Sequence, residues 1–212
     1  MMYFNYFVVA LISIIVKING HGMMVDPPFR GNAWRHGFST PTNYDETEVF
    51  CGGVGVQYQQ NKGKCGPCGD DYSQKQPRSN ENGGHYGTGV IVRTYKANTV
   101  IPVDIHFATA HLGYFEFSLC QLINNEPETE ECFEELYLAS GERRYPVTSN
   151  SHDKNYTASV VLPKNLICNH CSLRWHYRAG NNWGMCDDGV GKMGCGNQET
   201  YRNCADVKII SA

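Results

Sequence analysis

After residue 20 the sequence has no apolar run of the length a membrane-spanning helix needs, about 20 residues. It also has no run of basic residues, and a net charge of −3 at pH 7 gives no electrostatic reason to bind nucleic acid or anionic lipid. No Pro/Ser/Gly-rich linker and no internal repeat divides the chain. We therefore expect residues 21–212 to form one soluble domain with no nucleic-acid or membrane partner.

The one long apolar segment lies at the start of the chain. Residues 1–20 have an uncharged apolar core of the length found in signal peptides, and Lys17 closes it. Gly20 suits a cleavage site, although Ile18 is not the small residue usual two positions earlier and no basic residue precedes the core. We predict a secretory signal peptide over residues 1–20, cut before His21, rather than a membrane anchor.

The cysteine pattern agrees with export. All ten cysteines follow residue 20, and an even number suits a disulfide framework in an oxidising compartment. The motifs Cys65–Cys68 and Cys168–Cys171 resemble halves of a zinc site, but about 100 residues separate them, so we predict disulfides. The one pairing predicted is Cys120–Cys132, which flanks a short polar insertion. A single glycosylation sequon at Asn155 suits a surface loop of a secreted protein.

Apolar residues alternate with more polar ones over four segments, which predicts half-buried strands. A long amphipathic helix is absent; the best helical candidate, residues 130–138, is short and fits a loop as well. Residues 31–84 show few regular patterns and are expected to form a loop region held by cysteines. The prediction is an all-β, two-sheet antiparallel sandwich with long loops. The alternating positions are Ile101, Val103, Ile105 and Phe107; Phe115, Phe117 and Leu119; Leu173, Trp175 and Tyr177; and Ala205, Val207 and Ile209.

If cleavage precedes His21, that residue offers a metal two nitrogen ligands. Its α-amine would have a pKa near 8 and can lose its proton at neutral pH, while its ring Nδ1 closes a chelate. A second imidazole would complete a three-nitrogen site that suits copper in both oxidation states. Among the other histidines, His111 stands out because it lies in a break between two strand patterns, flanked by Ala110 and Gly113. Spacing alone leaves the identity of the second histidine open.

Six motifs resemble, in order, those of the lytic polysaccharide monooxygenases of auxiliary activity family fifteen. They are HGMMVDPPFRGNAWRHGF, NYDETEVFCGGVGVQ, GKCGPCGD, TAHLGYFEFSLC, RWHYRAGNNWG and GCGNQETYRNCADVKI, and they span essentially all of residues 21–212. The resemblance implies an immunoglobulin-like or fibronectin-like β-sandwich with a flat copper face. It also implies that His21 and His111 bind one copper ion as a histidine brace, with Tyr201 as an axial aromatic residue that need not bond the metal.

The activity implied by this resemblance is oxidative cleavage of an insoluble β-1,4-linked polysaccharide by hydroxylation at C1 or C4. It requires an external electron donor and dioxygen or hydrogen peroxide. We expect chitin as the substrate, with cellulose as the alternative, and a secreted monomer. Two other interpretations are a non-catalytic copper carrier and a chitin-binding protein of the same fold. Because a degenerate relative would be expected to lose a site residue, the presence of His21, His111 and Tyr201 favours the enzyme.

One further site residue is predicted from strand periodicity. Residues two apart on a strand share a face, so Glu199 should point the same way as Tyr201 and could hydrogen-bond an oxygen ligand of the copper. A bulge in the strand would transfer this role to Gln198, and an ordinary solvent-exposed carboxylate is the third possibility. Trp34 and Trp183 are candidates for stacking on sugar rings, whereas Trp175 alternates with core positions and is expected to pack.

Overall fold

The computed structural model describes residues 21–212 apart from Asn125, and of His21 the backbone alone. The predicted signal peptide, residues 1–20, lies outside the described residues. The described part contains two short 3₁₀ helices, Ala33–His36 and Glu130–Cys132, and a π-helical segment, Gly55–Gln60. None of the helices found there has the length and apolar character that crossing a membrane takes. The strands are β1 (His21–Asp26), β2 (Arg93–Lys96), β3 (Val100–Ala110), β4 (Gly113–Gln121), β5 (Glu134–Glu135), β6 (Tyr137–Leu138), β7 (Arg144–Val147), β8 (Ser151–Val161), β9 (Cys168–Ala179), β10 (Trp183–Met185), β11 (Gly191–Met193) and β12 (Thr200–Ile210).

Two sheets form the predicted sandwich. The first has the strand order β1-β3-β8-β6, and the second has the order β2-β12-β9-β4-β5, with β7 also paired to β4. Strands β10 and β11 form a separate hairpin between β9 and β12. The predicted antiparallel pairing is confirmed except that β2 runs parallel to β12, because it enters at the edge of the second sheet after the long loop region.

The core includes all of the alternating residues that the sequence predicted. All of them are buried, with at most 4% of any of these residues exposed to solvent. The ring of Phe107 lies at the centre, 5.8 Å from the ring of Trp175 and 6.3 Å from that of Phe115. Trp175 is therefore a packing residue, as predicted, and is not available to a ligand.

The predicted loop region covers the outer face of the second sheet. Polar residues on that face, such as Arg174 and Asp206, are consequently buried, with 7% and 3% of the residue exposed. All five disulfides form, and the predicted Cys120–Cys132 pair is among them. Because all ten cysteines are in disulfides, the zinc interpretation of the CxxC motifs is excluded. The pairs are Cys51–Cys65, Cys68–Cys204, Cys120–Cys132, Cys168–Cys171 and Cys186–Cys195.

At two places the structure differs from what the sequence suggested. The helical candidate at residues 130–138 has one 3₁₀ turn and then strands β5 and β6, because the Cys120–Cys132 disulfide and hydrogen bonds to neighbouring strands hold it extended. The backbone amide of Leu136, for example, donates to the carbonyl of Phe117. Asn155 lies on strand β8 and not in a loop, although its side chain is exposed as a glycosylation site requires.

A buried ionic cluster attaches the segment after β1 to strand β12. The guanidinium of Arg30 donates to both carboxylate oxygens of Asp206, at 2.9 and 2.5 Å, and lies 2.7 Å from Glu128. The ring Nε2 of His170 lies 2.7 Å from the same Asp206 carboxylate. Burial raises the pKa of Asp206, but the charge and hydrogen bonds of Arg30 outweigh burial and lower the pKa below its usual value. The cluster therefore depends on the charge of Arg30.

Candidate metal centre

The pairing of β1 with β3 brings His21 close to His111. The backbone of His21 lies opposite Thr109 of β3. His111 is two residues after Thr109 and directly follows Ala110, the last residue of β3. Adjacent strands are about 4.8 Å apart, so the two predicted metal ligands start from neighbouring backbone positions. The β1–β3 register shifts between His21 and Gly22, which ends regular pairing where the site begins.

Close packing at Gly22 fixes the start of β1. A Cβ atom at this position would lie 2.6 Å from the ring of Phe107 and 3.2 Å from that of Trp175, so the backbone rests directly on the aromatic core. On the other side of the strand, the amide of Met24 donates to Oδ1 of the buried Asn203 on β12 at 2.9 Å. The position of His21 is thus set by both sheets.

The hydroxyl of Tyr177 holds the backbone of His111. It donates to the carbonyl oxygen of His111 at 2.6 Å and accepts from the amide of the same residue at 3.1 Å. Tyr177 is itself fully buried on β9, where its ring lies 4.8 Å from that of Phe107. The connection between β3 and β4 that carries His111 is therefore attached to the buried strand β9.

Tyr201 lies beside Tyr177, on the neighbouring strand β12. Its ring centroid is 5.9 Å from that of Tyr177 and 6.0 Å from that of Phe50, and the residue is 1% exposed. Burial raises the pKa of the Tyr201 phenol, and the negative charge of Glu199 raises it further. The phenol is consequently neutral over the physiological pH range.

Glu199 and Gln198 occupy different environments. The Oε2 atom of Glu199 lies 3.4 Å from the hydroxyl of Tyr201 and accepts a hydrogen bond from Nδ2 of Asn181 at 2.7 Å. Gln198 is fully buried, and its amide makes three hydrogen bonds to the backbone of Asn182 and Cys195. The carboxylate thus shares the side of Tyr201, while the amide holds the loop between β9 and β12.

Two of these contacts were missed by reasoning from the sequence. Tyr177 was assigned to the core by alternation, and nothing in that pattern assigned its hydroxyl a role. A buried tyrosine at the end of a predicted strand does need a hydrogen-bond partner, and the nearby turn with His111 offers backbone groups. Asn181 carried no signal, because its contact with Glu199 depends on how the loop folds.

The donors at this centre fit copper. The imidazoles of two histidines, with a terminal amine if the chain is cut before His21, would be nitrogen ligands of the kind that suits copper. Elsewhere in the described chain, one cluster of metal-ligand side chains occurs: Cys68, Glu128 and Cys204. Its two sulfur atoms form a disulfide and cannot act as thiolates.

Comparisons with known proteins agree with this chemistry. A family model described as lytic polysaccharide mono-oxygenase, cellulose-degrading, matches residues 21–207. The chain is 44% identical to a solved lytic polysaccharide monooxygenase of auxiliary activity family fifteen from Thermobia domestica, in the Cu(I) state; the match covers 89% of this chain and 98% of that one, with a TM-score of 0.86. No curated protein sequence is matched closely enough to count as a relative.

Two distant solved structures share the fold alone. One is a cellulose-active lytic polysaccharide monooxygenase in complex with copper, at 13% identity and a TM-score of 0.50 over 91% of this chain and all of the other. The second is a chitin binding domain from Burkholderia pseudomallei, at 7% identity and a TM-score of 0.51 over the same shares. The chain therefore belongs to the lytic polysaccharide monooxygenases, within auxiliary activity family fifteen, and is an enzyme that uses one copper ion, an external reductant and dioxygen or hydrogen peroxide to cleave polysaccharide oxidatively.

Proposed function

We propose that the mature chain begins at His21 and that its α-amine and ring bind copper together with the ring of His111. The observation that carries this proposal is the β1–β3 register, which brings the backbones of these two residues together. The bound copper would supply one-electron redox chemistry and activation of the oxygen co-substrate. Secretion follows from the same proposal, because the free amine exists only after the leader is removed.

The protein's own residues would then position and protect the centre. Tyr177 holds the carbonyl and amide of His111, so that the imidazole leaves the backbone in one direction. Tyr201 keeps its proton, and its buried ring packs beside Tyr177, the residue that holds His111. Glu199 is the one of the two candidate residues whose polar group is near that phenol, and we assign to it a hydrogen bond to the oxygen co-substrate, as an acid–base group beside the centre.

Replacing Glu199 by Gln should lower oxidative turnover on polysaccharide by at least about tenfold, since a positioned acid–base group contributes roughly 10²- to 10⁴-fold. The amide keeps the shape and can still accept from Asn181, so copper affinity should change little. Product release measured by mass spectrometry and copper titration provide the two readouts. Glu142→Gln, at an exposed position elsewhere, is the matched control. Wild-type turnover in Glu199→Gln would remove the assigned role.

Replacing Tyr177 by Phe should lower the free energy of unfolding by about 1–3 kcal/mol, because the partly buried amide and carbonyl of His111 lose their partner. For a domain of this size that corresponds to a melting temperature roughly 2–4 °C lower per kcal/mol. The electron paramagnetic resonance spectrum of bound Cu(II) should also change, because the ligand backbone is released.

Tyr156→Phe is the control for this prediction. Its buried hydroxyl has no hydrogen-bond partner among the described residues, and its ring also packs on Phe107. This variant should keep both the stability and the Cu(II) spectrum of the wild type. Identical spectra for Tyr177→Phe and the wild type would show that the hydroxyl does not position the metal ligand.

We further propose that the polysaccharide is chitin and that oxidation occurs at C1, with support from the family likeness alone, since the family acts on chitin or cellulose. Two concavities of about 440 and 460 Å³ are lined by residues other than His111, Tyr201 and Glu199. The arrangement favours a face that meets a polymer surface over a pocket for a small ligand. We expect the enzyme to act as a monomer.

Mass spectrometry of products tests this proposal. The copper-loaded mature protein is incubated with chitin and with cellulose, each with a reductant and with or without added peroxide. We expect aldonic acid oligosaccharides from chitin. Products oxidised at C4, or products from cellulose only, would overturn the proposed substrate or position. Stoichiometric copper binding with no oxidised product from either polymer would favour a copper carrier.

A further inference from the structure

A small cleft lies on the outer face of the second sheet, on the side away from the aromatic core. It has a volume of about 170 Å³, and its walls include Arg174, His176 and Arg202. Successive residues of a strand point to opposite faces, so His176 and Arg202 point outward where their neighbours Tyr177 and Tyr201 point into the core. The cleft, which we name the arginine cleft, therefore shares no residue with the candidate metal centre.

The guanidinium groups of Arg174 and Arg202 meet on one carboxylate. Nη1 of Arg174 donates to Oε1 of Glu130 at 3.0 Å, and Nη1 of Arg202 donates to Oε2 of the same carboxylate at 2.9 Å. The two arginine side chains are only 8% and 12% exposed, so salt and water screen their charges poorly. Two largely buried cations thus share a single anion.

Both guanidinium groups have donors left over. The hydrogen bonds of Arg174 to the described residues use Nε, which donates to Ser118, and Nη1. Those of Arg202 use Nη1 alone. Nη2 of each arginine consequently has no protein acceptor within the described part of the chain, although both side chains line the cleft and are largely buried. Because an unsatisfied donor in a buried side chain is costly, an acceptor placed in the cleft would be favourable.

The other acids around the cleft do not cancel its positive charge. Glu116 pairs with Arg144, and Glu135 pairs with Arg143. Arg178, on the same face of β9, has no acidic partner among the described residues and donates to two backbone carbonyls instead. The lining groups and their partners, together with Arg178, therefore comprise five arginines and three glutamates, although the whole chain carries a net charge of −3.

Two pKa values reflect this excess of positive charge. Burial, followed by the charge of Arg202, lowers the pKa of Arg174 to about 10. Burial and the charges of the surrounding arginines, led by Arg202 and Arg174, hold the pKa of His176 well below its usual value. At pH 7, Arg174 is still a cation and the ring of His176 is neutral. An anion in the cleft would be attracted by the arginines, and each carboxylate that lines the cleft is already paired with an arginine.

We propose that the arginine cleft binds a small multivalent oxyanion, of the phosphate or sulfate type, between the guanidinium groups of Arg174 and Arg202 and the ring of His176. Planar guanidinium groups match the oxygens of phosphate and form strong, charge-assisted hydrogen bonds with it. One water takes about 30 Å³, so the cleft has space for one such ion and a few waters but not for an oligosaccharide. The anion would add a bridge between β9 and β12, and its binding should stabilise the fold.

The test is calorimetric titration of the copper-loaded mature protein with inorganic phosphate, at an ionic strength held constant with sodium chloride. We expect one phosphate per chain. Arg202→Met should bind it at least about tenfold more weakly, because one of two cations and a charge-assisted hydrogen bond are lost. Arg202→Lys keeps the charge without the planar group and should lose less affinity. Sulfate should bind as phosphate does, and acetate, with a single charge, should bind more weakly.

Thermal unfolding provides a second readout and checks that each variant folds. At about ten times the dissociation constant, phosphate should raise the melting temperature of the wild type by roughly 3–6 °C and hardly change that of Arg202→Met. Arg93→Met is the matched control, because it removes one arginine from the edge strand β2, where Arg93 pairs with Asp26. It should bind phosphate as the wild type does.

The electron paramagnetic resonance spectrum of bound Cu(II) should not change when phosphate is added. A changed spectrum, with equal phosphate affinity in Arg202→Met and the wild type, would place the anion on the copper and overturn the proposal. No binding by the wild type would overturn it too, and acetate binding as tight as that of phosphate would contradict the proposed ligand class. None of these outcomes depends on polysaccharide oxidation, so a failure of the proposed function is distinguishable from a failure of this inference.

Discussion

A chain that retains one extra residue before His21 should fold like the mature protein and bind copper much more weakly. The loss of affinity should exceed the roughly 10- to 100-fold that is typical when a residue around the metal ligands, and not a ligand itself, is replaced. The extra residue converts the α-amine into an amide, which has no lone pair for the metal at neutral pH, and it opens the chelate with the ring. Oxidation of polysaccharide should be lost with the affinity. The fold should survive because Gly22, Asn203 and five disulfides hold β1 and the domain independently of the amine.

Copper titration and thermal unfolding of the metal-free proteins separate these two effects. A matched control adds the same residue after Ala212, at the other end of the chain, and should bind copper as the mature protein does. An extended chain with wild-type affinity and turnover would show that the amine is not a ligand. A lower melting temperature of the metal-free extended chain would show that the loss has a structural origin.

Replacing Arg30 by Met should lower the free energy of unfolding by about 3–5 kcal/mol at pH 7, because it leaves the buried carboxylates of Asp206 and Glu128 without their cation. This is the largest effect on stability that we expect from one substitution in the buried contact between the loop region and the second sheet. Chemical denaturation of the two proteins measures it. Arg143→Met, which breaks an exposed pair with Glu135, is the control and should change stability little.

The same substitution should reverse the pH dependence of stability. In the wild type, the pKa of Asp206 is lowered, so its contribution is present above the ordinary value near 3.8 and is lost as the pH falls through the folded-state pKa. Without Arg30, burial dominates and raises that pKa, so the folded state favours the neutral acid. The variant should then gain stability on acidification from pH 7 toward pH 4, where the wild type does not. Parallel pH profiles would contradict this account of the cluster.

The alternation of apolar and polar residues predicted the sandwich, because each inner strand buries every second residue. Val103, Ile105 and Phe107 on β3 show this alternation, and the structure buries each of them completely. Prediction was weaker wherever both faces of a strand are covered. Arg174 on β9 and Asp206 on β12 are charged in sequence and yet almost fully buried, because the loop region lies over them. No local pattern shows that a distant loop will supply their partners.

Prediction of the site has the same limit. The order of motifs identified the family, and strand periodicity indicated Glu199 beside Tyr201, a relation that the structure reproduces. The attachment of His111 to Tyr177 joins residues 66 positions apart and follows only from strand pairing. The short helical candidate at residues 130–138 is the converse case, since the disulfide and strand contacts there override local helix propensity.

The central claim, that His21 as the first residue binds copper with both its nitrogens, is tested most directly by sequencing the N-terminus of the secreted protein and titrating the same sample with copper. We predict that the sequence begins HGMMVDPPFR and that one copper ion binds per chain, with this stoichiometry abolished in His111→Ala. A secreted protein that begins at any other residue, yet binds one copper ion and oxidises polysaccharide, would contradict the claim.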